Sequence, residues 1–561
     1  MDFMTQPSWG SYLGTLLLSA LFGALVGAFF SPKARPFRRV MFIGVIALVI
    51  IVSVISRSSF GHVVAFIAAA VAAVMYLSES RATTRKKSTL YGSAEWANAA
   101  HLREQSVVGD SGLRLGVFDG GEQGSLPLQY SGDRHMLTVA PTRSGKGVSS
   151  IIPNLLSYTG SVVVIDPKGE NAMITAARRG QGDEAKNITG LGQAVHVVDP
   201  WGITGQAAAC FNPLDWLKAD DPDISENAMM LADSIVVQRG GESAFWDEES
   251  KALLMGLLLY VALDAREAGS RTLGRVRDLI VMGAEPFKQI LVQMGENANQ
   301  IVSSTAARTA SKAPELRASV MAGLQSHTHF LDSPRIRQSL ARSDFRFEQL
   351  KERPTTVYLV LPSDRLDTFG RWLRLLIQQA LTVNARNIKT KPAKPILFLL
   401  DEMPALGRLA MVEQAYGLMA GFGMQLWGIV QDLSQLERVY GQGWETFIGN
   451  SGVIQYFGSR DVKTADYFSK LCGVTTVEKF SISNSIARTF GGQGGGSESE
   501  SVSEDVIARH LALPDELMVM RKGKQLLFIE NSNPISARRV NWFESDSLRG
   551  LGVNLQTKTQ P

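Results

Sequence analysis

Residues 136–151, MLTVAPTRSGKGVSSI, decide the reading of this chain. Met136 to Ala140 is a short apolar run with the character of a buried strand. Pro141-Thr142-Arg143-Ser144-Gly145 is a tight turn, Lys146 closes it, and the segment from Gly147 and Val148 starts a helix. Strand, loop and helix with a Gly-Lys pair at the loop's end form a phosphate-binding P-loop. Successive backbone N–H groups and the positive end of the helix would cradle phosphates there. Lys146 would neutralise the β and γ oxygens as the γ-phosphoryl leaves. The loop departs twice from the full G-x-x-x-x-G-K-[ST] pattern: Ala140 stands at the first glycine and Gly147 at the Mg²⁺-binding hydroxyl. Read alone, the segment also fits a glycine-rich strand-to-helix turn.

Residues 395–404, PILFLLDEMP, supply the second half of a nucleotide site. Ile396 to Leu400 is an apolar strand ending in Asp401-Glu402, and an acid pair at the carboxyl end of a central strand is what a P-loop ATPase needs beside its phosphate loop. Asp401 would hold Mg²⁺ through its water shell, and Glu402 would polarise the attacking water. A lone acid pair after a strand also serves as a helix N-cap, but the P-loop upstream selects the catalytic reading. ATP and Mg²⁺ are the expected cofactors. Met424–Gln431 is another apolar strand, and Gln431 is placed to sense the γ-phosphate or the water; a turn amide is the plainer role. Residues 452–457 give one more strand, with Arg460 just beyond it. Arg460 suits an arginine finger reaching a neighbouring subunit, and a structural salt bridge equally well.

The first 88 residues differ in character and read as a membrane anchor. Ser11–Phe30 is twenty residues without a charge, long enough to span a bilayer as a helix. Residues 40–56 and 60–78 are two further apolar runs. Lys33, Arg35, Arg38 and Arg39 follow the first, and Arg81, Arg85, Lys86 and Lys87 follow the third, so the positive-inside rule fits three spans with the bulk of the chain in the cytoplasm. No small-residue cleavage site follows a charged start, which argues against a cleaved signal peptide.

About 470 residues follow the anchor, enough for one large domain with an insertion. Two cysteines, Cys210 and Cys472, exclude a disulfide framework and a zinc cluster. The net charge of +4 permits nucleic-acid contact without demanding it. Strand and helix patterns alternate, which argues for a parallel α/β sheet. Candidate strands are 136–140, 161–165, 194–198, 356–361, 396–400, 425–430, 452–457 and 525–530. Lys168, after one strand end, would approach phosphate or DNA or sit in a solvated turn.

Alternation stops between residues 221 and 345, the expected inserted all-α domain, and Asp223 with Glu226 resembles a capping box at its first helix. Residues 89–220 and 346–545 then form the nucleotide-binding domain, and 546–561 a tail. Seven cations against three acids over residues 300–346 give a net +4, suited to nucleic-acid phosphates or to a solvated helix face. Residues 481–503 are Ser/Gly-rich and read as a flexible loop.

With these residues in hand, the chain resembles the type IV secretion coupling proteins, the conjugative DNA-transfer ATPases. The likeness rests on YGSAEWA (Tyr91–Ala97), APTRSGKGVSS (Ala140–Ser150), VVIDPKGEN (Val163–Asn171), FNPLDW (Phe211–Trp216), FLLDEMPALG (Phe398–Gly407), GIVQDLSQL (Gly428–Leu436) and the closing LPDELMVMRKGKQLLFIE. It implies a RecA-like P-loop ATPase with an inserted all-α domain, anchored by transmembrane helices in the bacterial inner membrane. It implies a homo-hexamer around a channel, with nucleotide between subunits. Relaxase-bound single-stranded DNA, protein effectors and inner-membrane components of a type IV secretion system are the implied partners. Three spans depart from the family's usual two. A nucleotide-gated docking receptor and a septal-type DNA translocase are the alternative functions.

Overall fold

The computed structural model describes residues 89–237, 244–487 and 497–555. Its strands are β1 (Leu113–Asp119), β2 (Ser125–Tyr130), β3 (His135–Val139), β4 (Val162–Asp166), β5 (Gly182–Asp183), β6 (Ile188–Thr189), β7 (Ala194–Val198) and β8 (Thr355–Val360). They continue with β9 (Ile396–Leu400), β10 (Met424–Val430), β11 (Ser451–Tyr456), β12 (Val474–Ala487), β13 (Ser497–His510), β14 (Lys524–Ile529) and β15 (Ile535–Arg538). All eight expected strands are present, each within a residue of its expected bounds.

Eleven strands make one sheet in the order β2-β1-β15-β14-β11-β3-β10-β9-β4-β8-β7. From β11 to β7 every pairing is parallel, and from β11 to β2 every pairing is antiparallel. The parallel strands are dominated by apolar residues because both faces are covered. Alternate side chains divide between two cores, as the period of two requires. Leu137, Val139, Phe398 and Leu400 face the helices Ile224–Ile235 and Leu366–Arg386. Met136, Leu397, Leu399 and Trp427 face the side carrying Ile151, Leu155, Ala172 and Ala176.

β3 sits between β10 and β11, strands that follow it by nearly 300 residues. Such a crossover point opens a crevice at the carboxyl ends of the strands. Phe457 N donates to Val139 O at 3.0 Å and Ala140 N to Val430 O at 2.8 Å, so the loop after β3 leaves from between its two neighbours.

Between β7 and β8 the described residues of this stretch contain only helices and turns. The helix Ala244–Leu263 lies at its centre and is buried along most of its length. Its core runs on into that of Leu366–Arg386 without a break. The helix Ile224–Ile235 begins where the Asp223 motif puts it, but the Asp223 side chain caps nothing; Asp221 accepts from Asp223 N and Asn227 Nδ2 instead.

The Ser/Gly-rich loop expected over 481–503 is corrected at 481–487 and 497–503; residues 488–496 lie outside the described residues. β12 and β13 pair antiparallel from Val474↔His510 to Ala487↔Ser497. The serines there alternate with other residues, a strand period, while the glycines crowd into 491–496 between the two strands. The expected spans 11–30, 40–56 and 60–78 lie outside the described residues. Among the described residues no helix is long and apolar enough to cross a membrane.

Candidate nucleotide site

The loop after β3 turns through two residues of positive φ, Arg143 at 60° and Gly145 at 90°. A side chain is disfavoured at the second position, which fits the glycine there. Lys146 then opens a wide π-helical turn, Gly147–Ile151, continued by the α-helix Ile152–Ser157. Pro153 lacks the N–H that would continue the regular ladder, and the Asn154 amide reaches back to Ser150 O at 2.9 Å. Behind the loop a buried polar network holds β3 in place. Thr138 Oγ1 and Ser150 Oγ both donate to Gln455 Oε1, at 2.8 and 3.1 Å, and Trp427 Nε1 donates to Thr138 Oγ1 at 2.8 Å.

β9 delivers the acid pair to the same place. Lys146 Nζ lies 2.7 Å from Asp401 Oδ1 and 2.8 Å from Glu402 Oε1. Burial works against the charged Lys146, yet the two carboxylates outweigh it and hold its pKa above the ordinary lysine value. Burial likewise pushes the Asp401 carboxyl up, and Lys146 offsets only part of that. Glu402 has left-handed backbone, φ 60° and ψ 47°, a conformation that non-glycine residues hold mainly where surrounding structure enforces it.

Gln431, at the end of β10, joins the two halves. Its Nε2 donates to Glu402 Oε2 at 3.1 Å, and its Oε1 accepts from Thr142 Oγ1 at 3.2 Å. Lys146, Asp401, Glu402, Gln431 and Thr142 therefore form one connected group. Arg460 stands apart from it. It is exposed after β11 and makes no hydrogen bond or ion pair among the described residues.

Beside Asp401 on the next strand is Asp166, which sequence reasoning passed over. Burial pushes its pKa up to about 7, against the pull of backbone N–H groups such as that of Ala172. Lys168 is exposed close by. Arg539 was also missed: it lies 395 residues from Ser144, whose carbonyl its Nη1 bonds, and no local motif marks it. Most cations of 300–346 pair with acids of the same chain, several of them at the surface. Arg308 and Lys312 pair with Glu249, Arg337 with Asp278, and Arg342 with Asp344. The solvated-face reading of that stretch is the better one.

The residues fit a divalent cation carried on its own waters. Asp401 Oδ1 is buried and receives no well-directed hydrogen bond from the protein, only the Lys146 charge. A Cβ at Gly147 would meet nothing within 4 Å, so the place of the missing hydroxyl is open space.

Residues 86–560 match the family described as Type IV secretory system Conjugative DNA transfer. Protein VirD4 of Rhizobium rhizogenes is 28% identical over 471 residues, covering 82% of this chain and 67% of that protein. Conjugal transfer protein TraG of Escherichia coli is 31% identical over 472 residues, covering 78% and 72%. Among solved structures, the unbound bacterial conjugative coupling protein TrwBdeltaN70 superposes with a TM-score of 0.59 at 15% identity, over 79% of this chain and 91% of that one. TrwB in complex with ADP and Mg²⁺ gives 0.57 at 16%, over 80% and 94%. At these identities the structural likeness carries the fold alone, a mixed α/β RecA-like P-loop fold.

Proposed function

The chain belongs to the type IV secretory system conjugative DNA transfer family, and on that basis we propose that it is a coupling ATPase, binding ATP with Mg²⁺ and hydrolysing it to drive DNA transfer. The observation that carries the reading is the contact of Lys146 with both Asp401 and Glu402 at 2.7 and 2.8 Å. A P-loop lysine and a strand-end acid pair, 255 residues apart in sequence, converge at one crevice.

Residues 140–148 wrap the phosphates, with backbone N–H groups around the loop and Lys146 on the β/γ oxygens. To do so Lys146 exchanges its carboxylate partners for phosphate. That exchange frees Glu402 Oε1 to accept a proton from the attacking water, while Gln431 holds Oε2 and fixes the orientation of the carboxylate. Asp401 is the residue that would hold Mg²⁺, through water. When bound, the ion would neutralise charge on the phosphate oxygens. Thr142 ties Gln431 to the loop, so the loop and the base are set by one hydrogen-bonded chain.

Arg460 is assigned to a neighbouring subunit's nucleotide in a homo-hexamer. Its exposure and its place beyond β11, beside the P-loop strand, support this. Mixing the Arg460→Ala protein with the Lys146→Ala protein tests it: each alone is inactive, and mixed assemblies regain turnover only if the arginine acts between subunits. Residues 221–345 are assigned as an inserted helical domain. Residues 1–88 are assigned as an inner-membrane anchor of three spans. Relaxase-bound single-stranded DNA is the proposed cargo, with protein effectors as a further class, delivered to inner-membrane components of the secretion channel. Turnover measured with and without single-stranded DNA tests the motor reading against a nucleotide-gated docking receptor.

A further inference from the structure

Arg539 follows β15 and reaches the outer side of the P-loop. Its Nη1 donates to the Ser144 carbonyl, and it is the nearest side-chain group to Gly145, 3.7 Å from where a Cβ there would stand. Its guanidinium lies over the Phe457 ring, 4.2 Å from the centroid, and Phe457 itself is bonded to Val139 at the end of β3. The side chain is thus held between the P-loop and the strand beside it. Arg539 Nε is buried without a hydrogen-bond partner, and so is Ser144 Oγ. Among the described residues Arg539 has no acidic partner. Burial of a cation without a counter-charge is costly, and here it lowers the arginine pKa to about 10.

The charge of the neighbouring triad makes this cation matter. Lys146 faces two carboxylates, so that cluster carries more negative than positive charge as the triphosphate arrives. Arg143 and Lys168 are exposed and screened. The segment after Arg539 also belongs to the loop's setting: Trp542, Leu548 and Leu551 pack against Val148, Ile152, Leu156 and Ile174, and Val553 N bonds Ile174 O at 3.0 Å.

We propose that Arg539 is a positioning residue for the nucleotide, anchoring the P-loop through Ser144 and supplying the positive charge that the Lys146–Asp401–Glu402 cluster lacks. It acts through the loop, and the carboxyl-terminal segment from Arg539 to Leu551 is the strap that keeps it there. The inference rests on the nucleotide-binding reading given above.

The test uses the full-length protein, a fluorescent ADP analogue with Mg²⁺, and binding titrations at several salt concentrations. Arg539→Gln is expected to weaken binding about tenfold and to flatten its salt dependence, while Arg539→Lys, which keeps the charge, stays within about threefold of wild type. Melting curves without nucleotide show that each variant is folded. Wild-type affinity in Arg539→Gln overturns the proposal, and so does an equal loss in both variants, which would make the side chain's shape the cause. If the Gln variant does not fold, the Lys variant decides: retained affinity and salt slope support the proposal, and a tenfold loss in a folded protein overturns it. A wild-type protein that binds no analogue instead counts against the nucleotide reading itself.

Discussion

Lys146 Nζ and Glu402 Oε1 are 2.8 Å apart, so the proposed phosphate-binding cation and the proposed general base are ion-paired with each other. On the proposed reading, nucleotide has to break that contact. Its binding and the release of the base are then one event, which keeps Glu402 occupied until there is a phosphate to attack.

Glu402→Gln is expected to bind nucleotide slightly more tightly than wild type. A neutral amide competes less for Lys146, and a partly exposed ion pair is worth about 0.5–1 kcal/mol, or about two- to fivefold in affinity. Equilibrium titration with a fluorescent ADP analogue checks this. Weaker binding would show that Glu402 holds the loop open for nucleotide instead of competing with it.

Gln431→Ala removes both the 3.1 Å bond to Glu402 and the 3.2 Å bond from Thr142. The base loses its fixed orientation while the phosphate cradle stays. Turnover is expected to fall about ten- to hundredfold, with nucleotide affinity within about twofold of wild type. A loss confined to affinity would place Gln431 in binding alone.

Gly147→Ser puts a side chain into space that is open to 4 Å. The fold is expected to gain up to about 0.5 kcal/mol from the better helix former. The hydroxyl also restores the usual Mg²⁺ ligand, so nucleotide binding is expected to need less Mg²⁺. A Mg²⁺ titration of analogue binding reads this directly; an unchanged midpoint would mean that the family site holds the ion without any help from this position.

Asp166 links the site to pH. Its folded pKa is raised, from 3.8 to about 7, chiefly by burial. The unfolded chain therefore releases this proton first as pH rises, and the folded state loses stability between about pH 4 and 7. Asp166→Asn keeps an acceptor for the Ala172 N–H and removes the titration. Its melting temperature is expected to exceed wild type at pH 8 and to match it at pH 4. Equal pH profiles for the two proteins would contradict this assignment.

The parallel half of the sheet was legible because strands covered on both faces are continuous apolar runs, and Ile396–Leu400 or Met136–Ala140 resemble nothing else. Of the antiparallel edge only β14 was: β1 is half-exposed with an irregular burial pattern, and β15 has only four residues. β12 and β13 were hidden by serine, which is common in loops, although its alternate spacing already had a strand's period. The P-loop and acid pair were readable from local motifs. Arg539 was not, since its importance comes from a contact with Ser144 that only the folded chain creates. Asp166 lies within VVIDPKGEN, but its place next to Asp401 is created only by the sheet.

Lys146, Asp401 and Glu402 are proposed to form a working hydrolytic site coupled to DNA. ATP turnover by the wild-type and Glu402→Gln proteins, each measured with and without single-stranded DNA, decides this. Wild-type turnover is expected to rise with DNA, and turnover in the Gln variant to be at least about a hundredfold lower with nucleotide binding intact. Equally low turnover in both proteins, unmoved by DNA, would contradict it and leave a nucleotide-gated receptor in its place.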